Sequence, residues 1–240
     1  MSGHSKWSTI KHKKAANDAV KGKIFSNLSK AITIAAKTGG GVDPDSNYKL
    51  RVVIDQARAE NMPKQNIDRA LSKAISSDEN LEEITYEGFG PKGAGLLIKV
   101  VTDNKNRTVQ EIKNILERGG GSLGGPGSVA FNFDSRSMIV IKKQANFDDQ
   151  ILSLIDAGVE EYEESNGAVE IYADPKSLFD LQEKMKKAGF EILESSLMQK
   201  PKNFLQLEKA DSDKMLTLIS TLEEHEDVQS VYTNAVPHDH

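Results

Sequence analysis

The sequence contains no cysteine among its 240 residues. Composition therefore excludes disulfides, thiolate nucleophiles and Cys-ligated zinc or iron–sulfur sites. No uninterrupted apolar run of about 18 residues occurs, and the N-terminal segment MSGHSKWSTIKHKKAAND lacks the apolar core of a secretory signal. These absences predict a cytoplasmic protein that makes no contact with a membrane.

Motifs of the common enzyme sites are also missing. The sequence has no P-loop, no nucleophile elbow and no H-E-x-x-H zinc motif. Two segments match G-x-G-x-x-G, namely GFGPKG from Gly88 and GGGSLG from Gly119. A dinucleotide site needs a strand before the glycines and a helix after them, whereas the first segment precedes the strand pattern AGLLIKVV and the second follows a helix pattern. Both are interpreted as turns, so no catalytic residue, small-molecule substrate, cofactor or metal site is predicted.

Charge is distributed unevenly along a chain whose net charge is −5. Residues 1–77 hold 14 Lys and Arg against 6 Asp and Glu, while residues 134–200 hold 8 against 14. Phosphate contacts need clustered cations, so the asymmetry favours a polyanion partner at the N-terminal end. The alternative is a Lys-rich helical bundle whose charges only meet solvent, and charge alone leaves the two interpretations equal.

Apolar spacing predicts three helices between residues 10 and 77. The first apolar stripe contains Val20, Ile24, Leu28, Ala31 and Ala35 and ends at the glycines 39–41. A second stripe runs from Leu50 to Ala57, and a third runs from Ile67 to Ala74 after Pro63. The pattern then changes to Ile-, Val- and Phe-rich segments bounded by Gly, Pro, Asp or Asn, which predicts strands at 84–89, 94–102, 128–133 and 138–142, with a helix from Thr108 to the glycines 119–121.

A second α+β unit follows, with helices at 148–157 and 176–187 and strands at 160–164, 168–173 and 190–198. The tail predicts a strand at 204–207, a helix around Met215 to Leu222 and a strand at 228–232, too little for a separate domain, so it is expected to complete the sheet that begins at residue 84. The predicted fold class is α+β: an N-terminal three-helix bundle and two ferredoxin-like domains, one inserted in the other. The expected domains are 1–77, basic and helical; 78–133 with 201–240, central; and 134–200, inserted and acidic.

The basic N-terminal segment supplies the candidate phosphate contacts. Across the first 40 residues one acid, Asp18, accompanies eight lysines: Lys6, Lys11, Lys13, Lys14, Lys21, Lys23, Lys30 and Lys37. A seven-residue step returns to within about 20° on a helix, so the last three are expected on a solvent-facing cationic edge. Trp7 is equally suited to stacking on a base or to anchoring the segment.

Two acidic clusters are interpreted as exposed, solvated edges that steer a polyanion elsewhere. They are Glu160, Glu161, Glu163 and Glu164, and Glu223, Glu224, Glu226 and Asp227. His225 lies in the second cluster, and His238 and His240 close the chain, a pattern more typical of histidines without a metal.

Eight ordered blocks, spread over nearly the whole chain, resemble the YebC/PmpR family. They are GHSKW at 3–7, IKHKKAA at 10–16, GKIF at 22–25, NMPKQNIDRA at 61–70, YEGFGP at 86–91, TDNKNRT at 102–108, GGSLGGPGSV at 120–129 and DVQSVYTN at 227–234. The resemblance implies a three-domain protein of the same layout. Members are described as DNA-binding transcriptional regulators, and relatives that include a mitochondrial translational activator act on the ribosome.

The resemblance also carries residues over, block by block. The family's GHSKW and IKH[RK]KAA blocks match Lys6, Lys11, His12, Lys13 and Lys14, and its TDN[RK]NRT loop matches Asn104, Lys105, Asn106 and Arg107. Lys13 stands where Arg is common and Val20 where a basic residue is frequent, which lowers the local charge and removes the bidentate fork of an arginine at the first position.

Three hypotheses follow from the sequence. The first is a non-enzymatic DNA-binding transcriptional regulator; the second is a ribosome-associated translation factor whose N-terminal segment and 104–107 loop contact ribosomal RNA. The third, a protein-interaction scaffold, would show no salt-dependent binding of nucleic acid.

Overall fold

The structure is a computed structural model that describes residues 18–76, 81–144, 147–156, 158–165 and 167–237. These residues form two compact units. One unit comprises residues 133–202, and the other contains the described residues before 133 and after 202. The finer division of the larger unit into a helical and a central domain stays a prediction. None of the described helices combines the length and the apolarity needed to span a bilayer.

The larger unit begins with the three predicted helices, which are confirmed as α1 (Asp18–Thr38), α2 (Tyr48–Ala59) and α3 (Lys64–Ser76). Their common core contains Ile32, Leu50 and Ile54, with Ile67 and Ala70 from α3. On α1 the buried residues run from Ile32 to Ala36, so this end of the helix is covered on more than one side and the single stripe expected from the sequence is too narrow.

Asn47 joins the end of α1 to the start of α2. Its fully buried side chain donates from Nδ2 to the carbonyl oxygens of Ala35 (2.9 Å) and Gly41 (2.8 Å), and its Oδ1 accepts from the amide of Leu50 (3.1 Å). One side chain thereby satisfies backbone groups at two helix ends, where partners inside the helix are lacking.

Replacing Asn47 with Ala is expected to lower the free energy of unfolding by about 2–3 kcal/mol, because a helix cap is lost together with a buried hydrogen bond to Ala35 and a part-buried one to Gly41. Urea denaturation measures this loss. The neighbouring substitution Ser46→Ala removes only exposed hydrogen bonds to Asp43 and should cost less than about 0.5 kcal/mol. Equal losses for the two variants would contradict the role of Asn47.

The central part of the larger unit is a four-stranded sheet. The strands β1 (Glu82–Phe89) and β2 (Gly95–Thr102) form an antiparallel hairpin, helix α4 (Lys105–Arg118) follows, and β3 (Ser122–Leu123) pairs with β1. After the insertion come β8 (Leu205–Gln206), α7 (Lys209–Glu223), β9 (Val228–Thr233) and β10 (Ala235–Val236). Strand β9 pairs with β2, which confirms that the tail completes this sheet. The core between sheet and helices includes Ile98, Leu116 and Leu218.

The smaller unit has the strand order of a ferredoxin-like domain. Its elements are β4 (Phe133–Lys142), α5 (Phe147–Asp156), β5 (Glu161–Ser165), β6 (Ala168–Ala173), α6 (Leu178–Lys187) and β7 (Ile192–Pro201). The antiparallel sheet runs β5-β6-β4-β7, with the two middle strands contributed by the first and third strands of the unit. The predicted α+β class, with one domain inserted in another, is confirmed.

One predicted strand, 128–133, is wrong. Residues 130–132 form a 3-10 turn, and a strand begins only at Phe133. The buried carboxylate of Glu87 explains this, because it accepts hydrogen bonds from the amides of Gly127 (2.6 Å), Val129 (2.6 Å) and Ala130 (2.7 Å). Amides that converge on one anion are not available for pairing with a neighbouring strand.

Neither G-x-G-x-x-G segment has the strand-glycine-helix context of a dinucleotide site: the first runs from the end of β1 through a turn, and the second runs from the end of α4 through a turn into β3. Gly88 and Gly90 lead from β1 into a short turn at 91–93 before β2, and Gly119 ends helix α4. A Cβ atom at Gly121 would lie 2.1 Å from the carbonyl oxygen of Phe89, so the second segment needs glycine for close packing of the chain against β1.

Candidate nucleic-acid interface

The predicted N-terminal phosphate contacts and the stacking candidate lie outside the described residues. They are Lys6, Trp7, Lys11, His12, Lys13 and Lys14. The remaining predicted residues divide between helix α1 and the start of helix α4, where Asn104 is the N-cap and 105–107 form the first turn instead of the predicted loop. Lys21 and Lys37 are exposed on α1, whereas Lys23 and Lys30 are partly buried.

The expectation that Lys23 and Lys30 belong to a solvent-facing edge is wrong. The ammonium group of Lys23 donates to the carbonyl oxygen of Glu223, and that of Lys30 donates to the carbonyl oxygen of Glu226 (3.0 Å) and to Asp227 Oδ1 (2.8 Å). Between them, Asn27 Nδ2 donates to the carbonyl oxygen of Val228 (2.8 Å). This side of α1 therefore packs on the segment 223–228 instead of facing water.

Asp227 is the centre of this contact. Its side chain is 1% exposed and binds Lys30 Nζ (2.8 Å), Arg107 Nη2 (3.0 Å) and Thr108 Oγ1 (2.7 Å). Burial alone would raise the pKa of Asp227, but the hydrogen bonds from Lys30, Thr108 and Arg107 outweigh it and lower the pKa to about 2. The prediction of an exposed, solvated edge at 223–227 is thus wrong for Asp227, which is a structural anion.

The residues 104–107 at the start of helix α4 have different surroundings. Asn104 caps helix α4 by accepting from the amide of Arg107 (3.1 Å), and Asn104, Lys105 and Asn106 are exposed. The guanidinium of Arg107 contacts Asp103 (3.2 Å) and Asp227, with Glu226 and Glu111 each at 3.9 Å. Lys105 is therefore presented to solvent, while Arg107 is held among carboxylates.

His225 connects Asp227 to Glu111 of helix α4 through hydrogen bonds of its imidazole ring. Its Nδ1 accepts from the amide of Asp227 (3.1 Å), so Nε2 carries the proton and donates to Glu111 Oε2 (2.8 Å). Both ring nitrogens of His225 are engaged in hydrogen bonds.

A groove opens between the helices and the central sheet of the larger unit, with a volume of about 540 Å³. Helix α1 contributes one face, helix α3 a second, and residues of the central part of the unit the remaining wall. The lining residues are Gly22, Phe25, Ser26, Ser29, Lys30 and Thr33 from α1; Asn66, Arg69, Ala70 and Lys73 from α3; and Leu81, Asp103, Arg107, Glu226 and Asp227. Thr33 Oγ1 donates to the carbonyl oxygen of Ala70 (3.2 Å) where α1 and α3 meet.

Sequence analysis missed two basic residues of this groove, Arg69 and Lys73. They are spaced i, i+4 on α3, so they share one face of the helix, and both are exposed. That spacing is visible in the sequence, but nothing in the sequence indicates that α1 and the central domain place two further walls beside this face. Within the described part of the chain, Arg69 has no carboxylate partner.

The acidic cluster of the smaller unit is largely engaged in ion pairs. Glu161 and Glu163 contact Lys200 Nζ (2.6 and 3.1 Å), Glu160 contacts Arg136 (3.0 Å), and Glu164 pairs with Lys143. The cluster adds negative potential to this unit, while its pairs stabilise the sheet.

Comparison with known proteins places the chain in one family along almost its whole length. The family model described as "TACO1/YebC protein N-terminal domain" matches residues 5–77, and "TACO1/YebC second and third domain" matches residues 81–235. The family resemblance found from the sequence blocks is confirmed.

Similar proteins carry the name "Probable transcriptional regulatory protein". That of Thermoanaerobacter pseudethanolicus is 46% identical over 98% of this chain and 96% of its own, and that of Dictyoglomus turgidum is 45% identical over 98% and 95%. A solved structure, of a conserved hypothetical protein from Aquifex aeolicus, is 32% identical and covers 93% of both chains with a TM-score of 0.83. The names given to the relatives describe regulators and no catalytic activity.

Proposed function

Because this chain belongs to the TACO1/YebC family, whose relatives are named as regulators, we propose that it is a non-enzymatic, DNA-binding regulator of transcription. The observation that carries the proposal is the concentration of exposed cations on the helical part of the larger unit. These cations include Lys21, Lys37, Lys49, Lys64 and Arg69. Clustered cations neutralise backbone phosphates and release counterions, which is the main sequence-independent source of affinity for nucleic acid.

The charge distribution along the rest of the chain also favours binding of a polyanion at the helical part. Residues 134–200 carry a net charge of −6, and residues 1–77 carry +8. Carboxylates repel phosphate, so a nucleic acid is steered to the helical part and away from the inserted unit. Lys105 is exposed at the first position of helix α4 and adds a further phosphate contact.

The N-terminal lysines give the most direct test. Replacing Lys11, Lys13 and Lys14 with Ala should flatten the slope of log K against log salt by about 2–3 units, since each phosphate contact contributes about 0.9 for a duplex. A thermal melt of the variant checks that the fold is retained. Fluorescence anisotropy with a labelled duplex over a salt series measures the slope.

A charge-matched control uses three exposed lysines of the inserted unit, Lys176, Lys186 and Lys187. Their replacement with Ala removes the same charge from a part of the molecule that is not proposed to bind. The control should leave the slope unchanged. If the two triple variants behave alike, the N-terminal segment is not at the interface.

Ribosomal RNA is the alternative target, and a fractionation experiment separates it from DNA. A DNA-binding regulator remains free of ribosomes in lysate and binds a preferred duplex at physiological salt far more tightly than random duplex. Co-sedimentation with ribosomes that survives DNase but not RNase would instead identify a translation factor.

A further inference from the structure

We infer that the groove between α1, α3 and the central domain binds the backbone of a single-stranded nucleic acid, with Arg69 and Lys73 as its phosphate contacts. The inference rests on the proposed function and deepens it, because it assigns a second binding surface and a strandedness. Neither residue belongs to the N-terminal segment or to residues 104–107.

The charges of the groove place the phosphate on the α3 wall. The wall formed by the central part of the unit carries Asp103, Glu226 and Asp227, and the cations Lys30 on α1 and Arg107 on α4 already bind Asp227 at 2.8 and 3.0 Å. An anion is repelled by that wall and attracted to the other, where Arg69 has no acidic partner among the described residues. The planar guanidinium of Arg69 can hold a phosphate through two parallel N–H donors.

The α1 face of the groove suits a backbone that approaches closely. Gly22, Ser26 and Ser29 present small side chains along one side of the helix, so a sugar-phosphate chain meets no bulky group there. The two serine hydroxyls are hydrogen-bond donors to phosphate or sugar oxygens. Phe25, half-buried, lines the same face and offers an aromatic surface for one base.

The size of the groove selects a single strand over a duplex. A volume of about 540 Å³ falls in the range of roughly 300–1,000 Å³ that holds small ligands. One or two nucleotides fit such a space, whereas a paired helix presents its phosphates on the outside of a much wider body. Single-strand sites combine a basic groove with aromatic side chains on which bases stack, and both features are present here.

The test compares a groove variant with a charge-matched variant of the inserted unit, both in the full-length protein. Arg69→Ala with Lys73→Ala removes two groove cations; Lys176→Ala with Lys187→Ala removes two exposed cations of the inserted unit, which is not proposed to bind. The probes are labelled oligouridylate, labelled oligothymidylate and a labelled duplex, each titrated by anisotropy over a salt series. Thermal denaturation of each variant confirms that the fold is retained.

The groove variant should bind both single strands roughly tenfold or more weakly and should lower their salt slope by about 1.4, since two contacts each contribute about 0.7 for a single strand. The matched variant should retain most of the affinity and the slope. A third variant, Phe25→Leu, should weaken single-strand binding without changing the slope, because stacking releases no counterions. A preference between the two oligonucleotides would identify RNA or DNA as the source of the strand.

Equal losses in the groove and matched variants would overturn the groove site while leaving the proposed function in place. The same conclusion follows if the groove variant weakens duplex binding as much as single-strand binding. If the wild-type protein binds none of the three probes at low salt, the proposed function fails together with the groove site.

Discussion

Replacing Asp227 with Asn is expected to lower the free energy of unfolding by about 3 kcal/mol. The carboxylate is buried, and Lys30 and Arg107 would each lose an ionic partner while the new amide group points its own donors at theirs. The loss stays at the lower end of the range for a broken buried pair, because Lys30 and Arg107 are 27% and 38% exposed and can regain water. Urea denaturation measures the loss.

Lowering the pH should remove the stabilisation that the Asp227 carboxylate provides. The pKa of Asp227 is about 2 in the folded protein, below its ordinary value of 3.8, so its stabilising effect is complete above pH 4 and is lost as the pH falls toward 2. The difference corresponds to about 2 kcal/mol. The wild-type protein should therefore lose more stability over this window than the Asn variant does.

Asp103 provides the matched control, since it contacts the same guanidinium but is 61% exposed. Asp103→Asn should cost less than about 0.5 kcal/mol and should leave the acid dependence unchanged. If Asp103→Asn and Asp227→Asn have equal effects, burial is not the source of the stabilisation. Hydrogen exchange in α1 supplies a second measurement, because release of Lys30 should increase exchange there.

Replacing Glu87 with Gln is expected to have a comparable effect, about 2–4 kcal/mol. The carboxylate accepts three backbone hydrogen bonds, and hydrogen bonds to charged groups are among the stronger ones. Glutamine has one acceptor oxygen, and its amide nitrogen would face backbone donors of the 127–130 loop. Urea denaturation measures the loss, and amide exchange at Gly127, Val129 and Ala130 shows whether the loop opens.

Burial would raise the pKa of Glu87, yet the amides of Gly127, Val129 and Ala130 lower it overall. Its contribution is therefore present above the unfolded value of 4.5 and declines as the pH falls through the lowered folded value. Glu83, exposed on the same strand, is the control: Glu83→Gln should change stability by less than about 0.5 kcal/mol. Loop amides that stay protected in the Gln variant would contradict the role of Glu87.

The helices and most strands could be predicted from the sequence because their apolar spacing is regular and their ends carry Gly, Pro or Asn. Helix α1, for example, ends beside the glycines 39–41, and β2 is rich in Leu, Ile and Val, with Lys99 as its one charged residue. The two-residue strands β3 and β10 were not predicted, since two residues contain no periodicity, whereas β8 lies within the predicted strand 204–207. The false strand at 128–133 has suitable side chains, but long-range hydrogen bonds to Glu87 decide its conformation.

The candidate site could be predicted only in part. The clustering of lysines indicated that the helical part of the chain binds nucleic acid. Lys30 and Asp227 are 197 residues apart, so no local sequence pattern predicts their ion pair. From the charge pattern alone, both side chains were expected to face solvent. Arg69 and Lys73 were missed for the opposite reason: their surroundings on α3 are ordinary, and only the packing of distant segments beside them makes a groove.

The junction between the two units affects how the protein folds during synthesis. Asn132 and Asn203, which flank the insertion, are joined by hydrogen bonds between side chain and backbone (3.1 Å each) and between their side chains (2.9 Å). Strand β2 emerges long before its partner β9, so the sheet stays incomplete until the insertion has been translated. Segments that are translated earlier tend to fold earlier. If the insertion folds before β9 is translated, it draws its two ends together, and the pairing of β2 with β9 then costs much less loop-closure entropy.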